Sequence, residues 1–481
     1  VMGGVKKADA PHGDDILRGY AYDIWRFFAE RVNENESFLP PDNVQFFPTE
    51  RTAHRTSPTN IGLYLASLAA ACDFGFIDAQ TLFSKLSSTL DTLEALPKVH
   101  GQLYNWYDTE KAAVLEPRFI SSVDCGNFAA CLILSAEGAK DYINLCPELE
   151  GAVKRLEKLL DEADFSVFYD FGRNLFSVGL HEKDGEYTLD GSYYDLCMSE
   201  ARTMSYIAAA RAEVPPEHWA SLSRVLISDG GYIGLASWSG TAFEYFMPCL
   251  FLPSPEGSLA SEALAYAFRM QKRFHAKTPH GSVFGTSESG YFSFDADMNY
   301  AYRAFGVPSL ALRCGGGDEL VISPYSSFLF LPLGKSAAIQ NLERLKKCGM
   351  YGEYGFYEAL DFTPKRVGKT PCIVKSVMSH HLGMSFLALC NSVFEGRMRK
   401  RFMRDAAMAS AAELTEEKIP VNAVIKKLRR GNAAIAGKPP RYSCSDSVSG
   451  TPEFFPLDTP FVGAASVGGT SLAVSSSGHM R

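Results

Sequence analysis

The sequence predicts an all-α protein built from helical hairpins packed in a ring. Two observations carry that expectation. Long segments with apolar residues at helical spacing dominate the chain. The segments joining them are alternately short and long, and the long ones are rich in Gly, Tyr, Trp, Asp and Ser. Decorated loops of this kind gather on one face of a ring, and a pocket opens there.

Taken in order, the spacing predicts helices at 14–34, 58–75, 78–96, 125–145, 147–163, 192–212, 239–251, 257–276, 334–348 and 379–394. Ser57-Pro58 places a proline at a first helical position, and Asp78 stands where an N-cap is needed. The decorated loops fall at 101–123, 165–191, 228–240, 280–290 and 350–370, and β-like runs such as 165–180 read as small hairpins inside them. Residues 1–13 are an N-terminal extension and 14–436 form the helical domain. The Pro-, Ser- and Gly-rich stretch 437–460 is a linker. Residues 461–481 alternate like strands around a Gly-Gly turn, as the truncated start of a following β domain would. The chain is expected to be a piece of a longer polypeptide.

The 481 residues carry a net charge of −8, and 12% are aromatic, with 22 Tyr and 33 Phe. Tyrosine-rich acidic chains suit neutral polar ligands such as sugars, whose C–H faces stack on rings. No basic stripe marks a nucleic-acid face, and the Arg397–Arg404 run reads as a solvated helix face. The 11 cysteines contain no CxxC and several lie in apolar runs, as reduced core cysteine does. No apolar run reaches a membrane span. No metal or cofactor is called for: His380-His381 in SHHLGMS lacks a third ligand or a HExxH spacing.

Glu200 is the most informative residue. In SYYDLCMSEARTMSYIAAAR it shares the predicted helical face of Tyr193, Leu196, Cys197, Met204, Ile207 and Ala208. A carboxylate on an apolar face has its pKa driven up, as general acid chemistry requires, or is satisfied by a neighbouring Arg or Tyr. Glu288 lies in a Gly/Ser loop, FGTSESGY, expected to lead into a helix, where it has no packing role. Two carboxylates in unlike surroundings match glycosidic bond chemistry, where one is protonated and the other ionised. Glu244, Glu358 and Asp361 have structural readings as ion-pair, cap or staple. Asp295 and Asp297 read as N-caps of a helix through Tyr300.

These residues fall in motifs. FLPPDNVQ (38–45), RTSPTNIGLYLASLAAACDFGFI (55–77), YNWYDT (104–109), SYYDLCMSEAR (192–202), PPEHW (215–219), SWSGTAFEYFMP (237–248), SESGY (287–291), NYAYRAFGVP (299–308), YGFYEALDFTP (354–364) and HHLGMS (380–385) resemble, in order, the glycoamylase-like domain of cyclic β-1,2-glucan synthases. The resemblance runs from about 14 to 430, and the tail is similar to the first strands of the phosphorylase-like domain that follows there. It implies an (α/α)6 barrel. It also implies an anomer-retaining transglycosylase that cyclises linear β-1,2-glucan by intramolecular transfer, alongside other domains of one synthase polypeptide. A hydrolysing β-1,2-glucanase and a non-catalytic glucan-binding module are the alternatives. The location implied is the cytoplasmic side of a bacterial inner membrane, with no direct membrane contact in this stretch.

By motif, the family's catalytic pair falls on Glu200 and Glu288, with Glu288 as nucleophile and Glu200 as acid/base. Substrate-binding candidates are Arg55, Asn60, Trp106, Tyr107, Tyr194, Asp195, Trp238, Glu244, Tyr291, Tyr300, Tyr357, Glu358, His380 and His381. Three departures from the family pattern are Phe284, Leu382 and Phe362, where Trp, Gln and Tyr are usual. They are expected to alter sugar subsites and to leave both glutamates in place.

Overall fold

The structure, a computed structural model, describes residues 13–278, 283–313 and 318–418, and the backbone of strands Ile425–Lys427, Val462–Val467 and Thr470–Ser475. The linker predicted at 437–460 lies outside the described residues, as do residues 1–12. In chain order the helices are α1 (Gly13–Arg31), α2 (Pro58–Phe74), α3 (Ala79–Ala95), α4 (Ser122–Lys140), α5 (Leu149–Glu162), α6 (Arg202–Ala210), α7 (Glu217–Ser221), α8 (Ala242–Phe246), α9 (Leu259–His275), α10 (Tyr325–Leu329), α11 (Leu331–Lys347), α12 (Pro364–Val367), α13 (Ser379–Val393), α14 (Arg397–Phe402) and α15 (Ala406–Ser410). Small two- and three-stranded sheets fill the loops between them. Most long helices end within a few residues of their predicted bounds. Ser57 and Asp78 cap α2 and α3, accepting from the backbone N–H of Asn60 and Thr81.

Burial divides the helices into two layers. Almost every residue of α2 and α4, and every residue of α13 from His381 to Asn391, is buried whichever way it faces. A helix apolar all round belongs inside a protein. By contrast α1, α3, α5 and α9 bury one face only. Inner helices touch in the succession α6–α4–α2–α13–α10–α8, with α1 laid on α2 and α13, and α3 on α2 and α5.

Glycines set how closely the inner helices approach. A Cβ on Gly126 would lie 2.3 Å from that of Met204, and one on Gly383 would lie 2.6 Å from that of Leu63. Gly62 faces Phe128 and Cys131, and Gly138 faces Ala69. In each pair an early position meets an early one, or a late position a late one. So α13, α2, α4 and α6 run parallel, with their N-termini at one end.

Three expectations are corrected. The helix predicted at 192–212 begins only at Arg202. Tyr193–Tyr194 pairs with Phe176–Ser177, and Asp195 and Cys197 exchange backbone hydrogen bonds with Ser223. Backbone groups engaged across strands cannot enter a helix. Glu200 therefore sits in the turn before α6 and not on an apolar stripe. The segment after Glu288 is an antiparallel hairpin, Ser289–Phe294 with Tyr300–Arg303, and not a helix. Its tip is closed by Asp295, which accepts from the backbone N–H of Asp297 and Asn299, so neither aspartate caps a helix.

The Arg397–Arg404 run is not a solvated face. Arg401 is 3% exposed and grips Asp73, itself fully buried, at 2.6 and 2.8 Å. Arg397 and the Tyr142 hydroxyl also donate to Asp73, while Arg401 and Arg404 hold Asp141. These cations cover the carboxyl ends of α2 and α4, where the helix dipole favours positive charge. In the tail, Val462–Val467 pairs antiparallel with Thr470–Ser475.

Breaking a buried pair by removing one partner costs more than the pair contributes. Asp73→Ala, which strands Arg401, should lower unfolding free energy by about 3–5 kcal/mol. Urea denaturation followed by circular dichroism checks this, and a loss below about 1 kcal/mol, as for an exposed pair, would contradict it.

Candidate active site

The residues with chemical potential lie at or just before the N-termini of the inner helices. Asn60 is the third residue of α2, Asp124 the third of α4 and Glu244 the third of α8. Tyr325 opens α10, and His380 and His381 are second and third in α13. Glu200 stands two residues before α6. Hydrogen bonds and ring contacts tie these ends together. The Ser379 N–H donates to the Asp42 carbonyl at 2.8 Å, and Asn60 Nδ2 donates to Asp42 Oδ1 at 3.0 Å. Asn127 in α4 donates to Thr59 in α2 at 3.2 Å. The Tyr325 ring stacks on His381, centroids 3.8 Å apart. Its hydroxyl donates to Ser287 Oγ, which also accepts from the Phe243 N–H at the start of α8.

Glu288 is held from both sides. Upstream, Thr286 is clamped by the Gln271 amide, which accepts from its N–H and donates to its carbonyl, and by His275 Nε2 at 2.8 Å. Downstream, the Gly290 N–H donates to Glu358 at 3.0 Å. The Glu288 side chain accepts from the Tyr302 hydroxyl at 2.9 Å. Burial and the charges of Glu288 and Glu358 push the Tyr302 phenol well above its ordinary value, so it stays a donor.

Behind Tyr302 stand two histidines, each with Nε2 3.4 Å from its oxygen. His381 Nδ1 lies 3.0 Å from the buried Glu358 carboxylate. A carboxylate only accepts, so this Nδ1 carries the proton and Nε2 of a neutral ring is an acceptor. The single Tyr302 proton thus faces two acceptors, and the shorter approach to Glu288 decides for the carboxylate. Burial first, then His381, drives His380 down to about 3, so it is neutral at physiological pH. Glu200 is half-buried and takes a hydrogen bond from Ser199 Oγ at 3.3 Å.

The structure sorts the other candidates. Trp238 Nε1 donates to Asp195 at 2.7 Å, so these two are paired. Arg55 lies over the Trp106 ring, 5.0 Å from its centroid, with its guanidinium 3.6 Å from Asp42. Tyr357 is half-buried beside Glu358 and His381, lining a narrow cavity with Tyr325. Tyr291 and Tyr300 belong to a small apolar cluster under the hairpin with Phe305 and Val374. Tyr194 is buried in its strand pair.

Two candidates are corrected to structural roles. Tyr107 is fully buried, donates to the Pro97 carbonyl and accepts from the Tyr104 N–H, which leaves no face for a ligand. Glu244 is the return arm of a capping box with Thr241 and also accepts from Ser237 Oγ and the Ser239 N–H, so both its oxygens are engaged within its own turn. Phe284, expected to alter a sugar subsite, packs in the core against Phe268 and Phe330.

Tyr302, Tyr325, Asp42 and Asp124 were missed as site residues. Tyr302 follows Tyr300 at strand period two, a pattern visible only once 300–303 is read as a strand. Asp124 is raised above the usual carboxylate range, mainly by burial and in part by Glu288. Hydrogen bonds from Thr59, Ser121 and Asn105 oppose the rise.

Comparison with known proteins places this geometry. Residues 192–406 match the glycoamylase family, whose model is described as "putative glucoamylase". A cyclic β-(1,2)-glucan synthase, NdvB of Rhizobium meliloti (strain 1021), is 29% identical over 87% of this chain, which spans 19% of that synthase. An endo-β-1,2-glucanase from Chitinophaga pinensis, solved with sophorotriose and glucose, superposes with a TM-score of 0.70 at 17% identity, covering 85% of this chain and 99% of its own. The endo-β-1,2-glucanase of Talaromyces funiculosus, solved with sophorose, gives 0.66 at 14% identity, covering 83% and 87%. The chain thus has the fold of these glucanases and carries a glycoamylase-like region.

Removing a donor from an ionised carboxylate raises its pKa. In Tyr302→Phe, Glu288 should titrate higher by about one unit, as read by 13C NMR of the carboxyl, and an unchanged titration would deny the bond a role. His380 supplies a stability prediction. Its folded pKa of about 3 lies below its ordinary 6.5, so the unfolded chain binds the extra proton first. Its contribution is complete above 6.5 and is lost as pH falls from there toward 3. His380→Gln should flatten the decline of Tm over that window; an equally steep decline would contradict it.

Proposed function

We propose that this chain is the glucan-processing domain of a larger cyclic β-1,2-glucan synthase, an anomer-retaining transglycosylase on linear β-1,2-glucan. The carrying observation is Glu288, a carboxylate presented among converging helix N-termini that accepts from the Tyr302 hydroxyl. Positive helix ends and a phenol donor favour its ionised form, as a nucleophile needs. Glu200 stands at the same end through α6, in a half-buried turn, as the acid/base. In this reading Glu288 attacks the anomeric carbon while Glu200 protonates the departing 2-oxygen. Glu200 then takes the proton from the 2-hydroxyl of the chain's own far end, which displaces Glu288 and closes the ring. Water in that second step would give hydrolysis instead.

The match to a cyclic β-(1,2)-glucan synthase supports the substrate, and the two glucanases of the same fold support glycosidic chemistry. The parallel inner helices and one-faced outer helices support closure into an (α/α)6 barrel over 14–436, with 461–481 opening the next domain. The whole synthase would place this domain on the cytoplasmic side of the inner membrane. Asp195, Trp238 and Tyr357 would meet the glucan, while Glu358 and His381 would position Tyr302.

Glu200→Gln and Glu288→Gln should each fold and lose about 10³-fold or more in turnover on linear β-1,2-glucan, because each carboxylate performs a separate step. Azide added to Glu288→Gly should yield a glycosyl azide of inverted configuration, and added to Glu200→Gly one of retained configuration. The swapped result would reverse the roles. Near-normal turnover in either Gln variant would remove that residue from the mechanism. Mass spectrometry of the products separates rings from linear fragments, and linear products alone would make the chain a glucanase.

A further inference from the structure

At the end of the molecule away from Glu288, where α2 and α4 finish, a cleft of about 500 Å3 opens beside α14. That volume lies within the range of small-molecule sites. Two carboxylates, Asp73 and Asp141, line it together with four cations, Arg397, Lys400, Arg401 and Arg404. Two of the four cations use up the carboxylates. Arg401 spends Nε on Asp141 and both terminal nitrogens on Asp73. Arg404 spends its nitrogens on Asp141 and on Glu137. Arg397 is left with a single nitrogen on Asp73, at 2.8 Å. Lys400, exposed and three residues further along α14, pairs with no acid among the described residues.

A further cation stands at the same rim. Arg18 of α1 is exposed and likewise pairs with no acid among the described residues. Its guanidinium lies 5.7 Å from the ring centroid of Phe74, the residue after Asp73, and 5.1 Å from that of Phe394. Arg397 lies 4.7 Å from the same Phe394 centroid. Like charges gathered at one ring repel each other, and the ring returns only about 0.5–1 kcal/mol per cation at an exposed site. Phe394, Phe74 and Asp73 nevertheless hold both guanidinium groups in place. Their remaining N–H groups and the Lys400 ammonium have no carboxylate left to accept from them.

We infer that this cleft is a second binding site, for a phosphate ester, at the opposite end from the catalytic glutamates. A phosphate ester carries about −1.5 to −2 charge at neutral pH and three acceptor oxygens. That matches three cations with unspent donors, two of them planar forks and one a point charge. A neutral sugar would leave those charges unbalanced, so the ligand class differs from that of the catalytic end. Soluble phosphate esters and the headgroups of anionic lipids share this chemistry.

The test is calorimetric titration of inorganic pyrophosphate into the protein, beside cosedimentation with vesicles of phosphatidylglycerol or phosphatidylcholine. Lys400→Glu and Arg18→Glu, both at exposed positions, should each weaken pyrophosphate binding tenfold or more and leave the circular dichroism spectrum unchanged. Lys183→Glu, the same change of charge in the decorated loop 165–191, should bind as the parent does. Sedimentation with phosphatidylglycerol only, lost in Lys400→Glu, assigns the site to a lipid headgroup. Pyrophosphate binding without sedimentation assigns it to a soluble ester. Absence of saturable binding to both probes would overturn the site. So would binding that Lys400→Glu and Arg18→Glu leave unchanged, or that Lys183→Glu weakens equally, since net charge would then be the whole effect.

Discussion

The close parallel approach of the inner helices is the constraint from which the site follows. Gly126 against Met204 and Gly383 against Leu63 leave no room for a Cβ, so α6, α4, α2 and α13 stand shoulder to shoulder. Helices packed this way bring their N-termini to one end. Each N-terminus carries partial positive charge and unpaired N–H groups. That end is therefore a place where carboxylates are tolerated, and Asp42, Asp124, Glu200, Glu244, Glu288 and Glu358 lie at or beside it. The other end shows the complementary arrangement. There α2 and α4 finish, and Arg397, Arg401 and Arg404 cover the carboxyl termini through Asp73 and Asp141. The polarity of the fold is set by the same dipoles at both ends.

Within the site, the carboxylates are divided by how completely their lone pairs are used. Glu244 has its oxygens taken by Ser237, Ser239 and Thr241. Glu358 serves Gly290 and His381, and through them fixes the strand that follows Glu288 and the tautomer of the ring behind Tyr302. Glu288 accepts from the Tyr302 hydroxyl and is half-buried. Sequence surroundings alone do not make this division, because Glu244 and Glu358 sit in aromatic segments as suggestive as those of Glu200 and Glu288.

The sequence by itself determined the helix-rich architecture, because an apolar period of 3.6 and capping residues such as Ser57 and Asp78 are local properties. It also singled out Glu200 and Glu288 and the loops that surround them. It misread 192–201 and 289–300, where cross-strand pairing with neighbouring segments overrode a plausible helical pattern. It could not tell Tyr107, fully buried with its hydroxyl on the Pro97 carbonyl, from its half-buried neighbour Trp106. The sequence read the Arg397–Arg404 run as solvated, whereas tertiary structure buried it on Asp73. Only the folded structure brought Tyr302 onto Glu288, His381 onto Glu358, and Asn60 onto Asp42. The Tyr302 contact is set by the register of its hairpin, and the others by how whole segments pack.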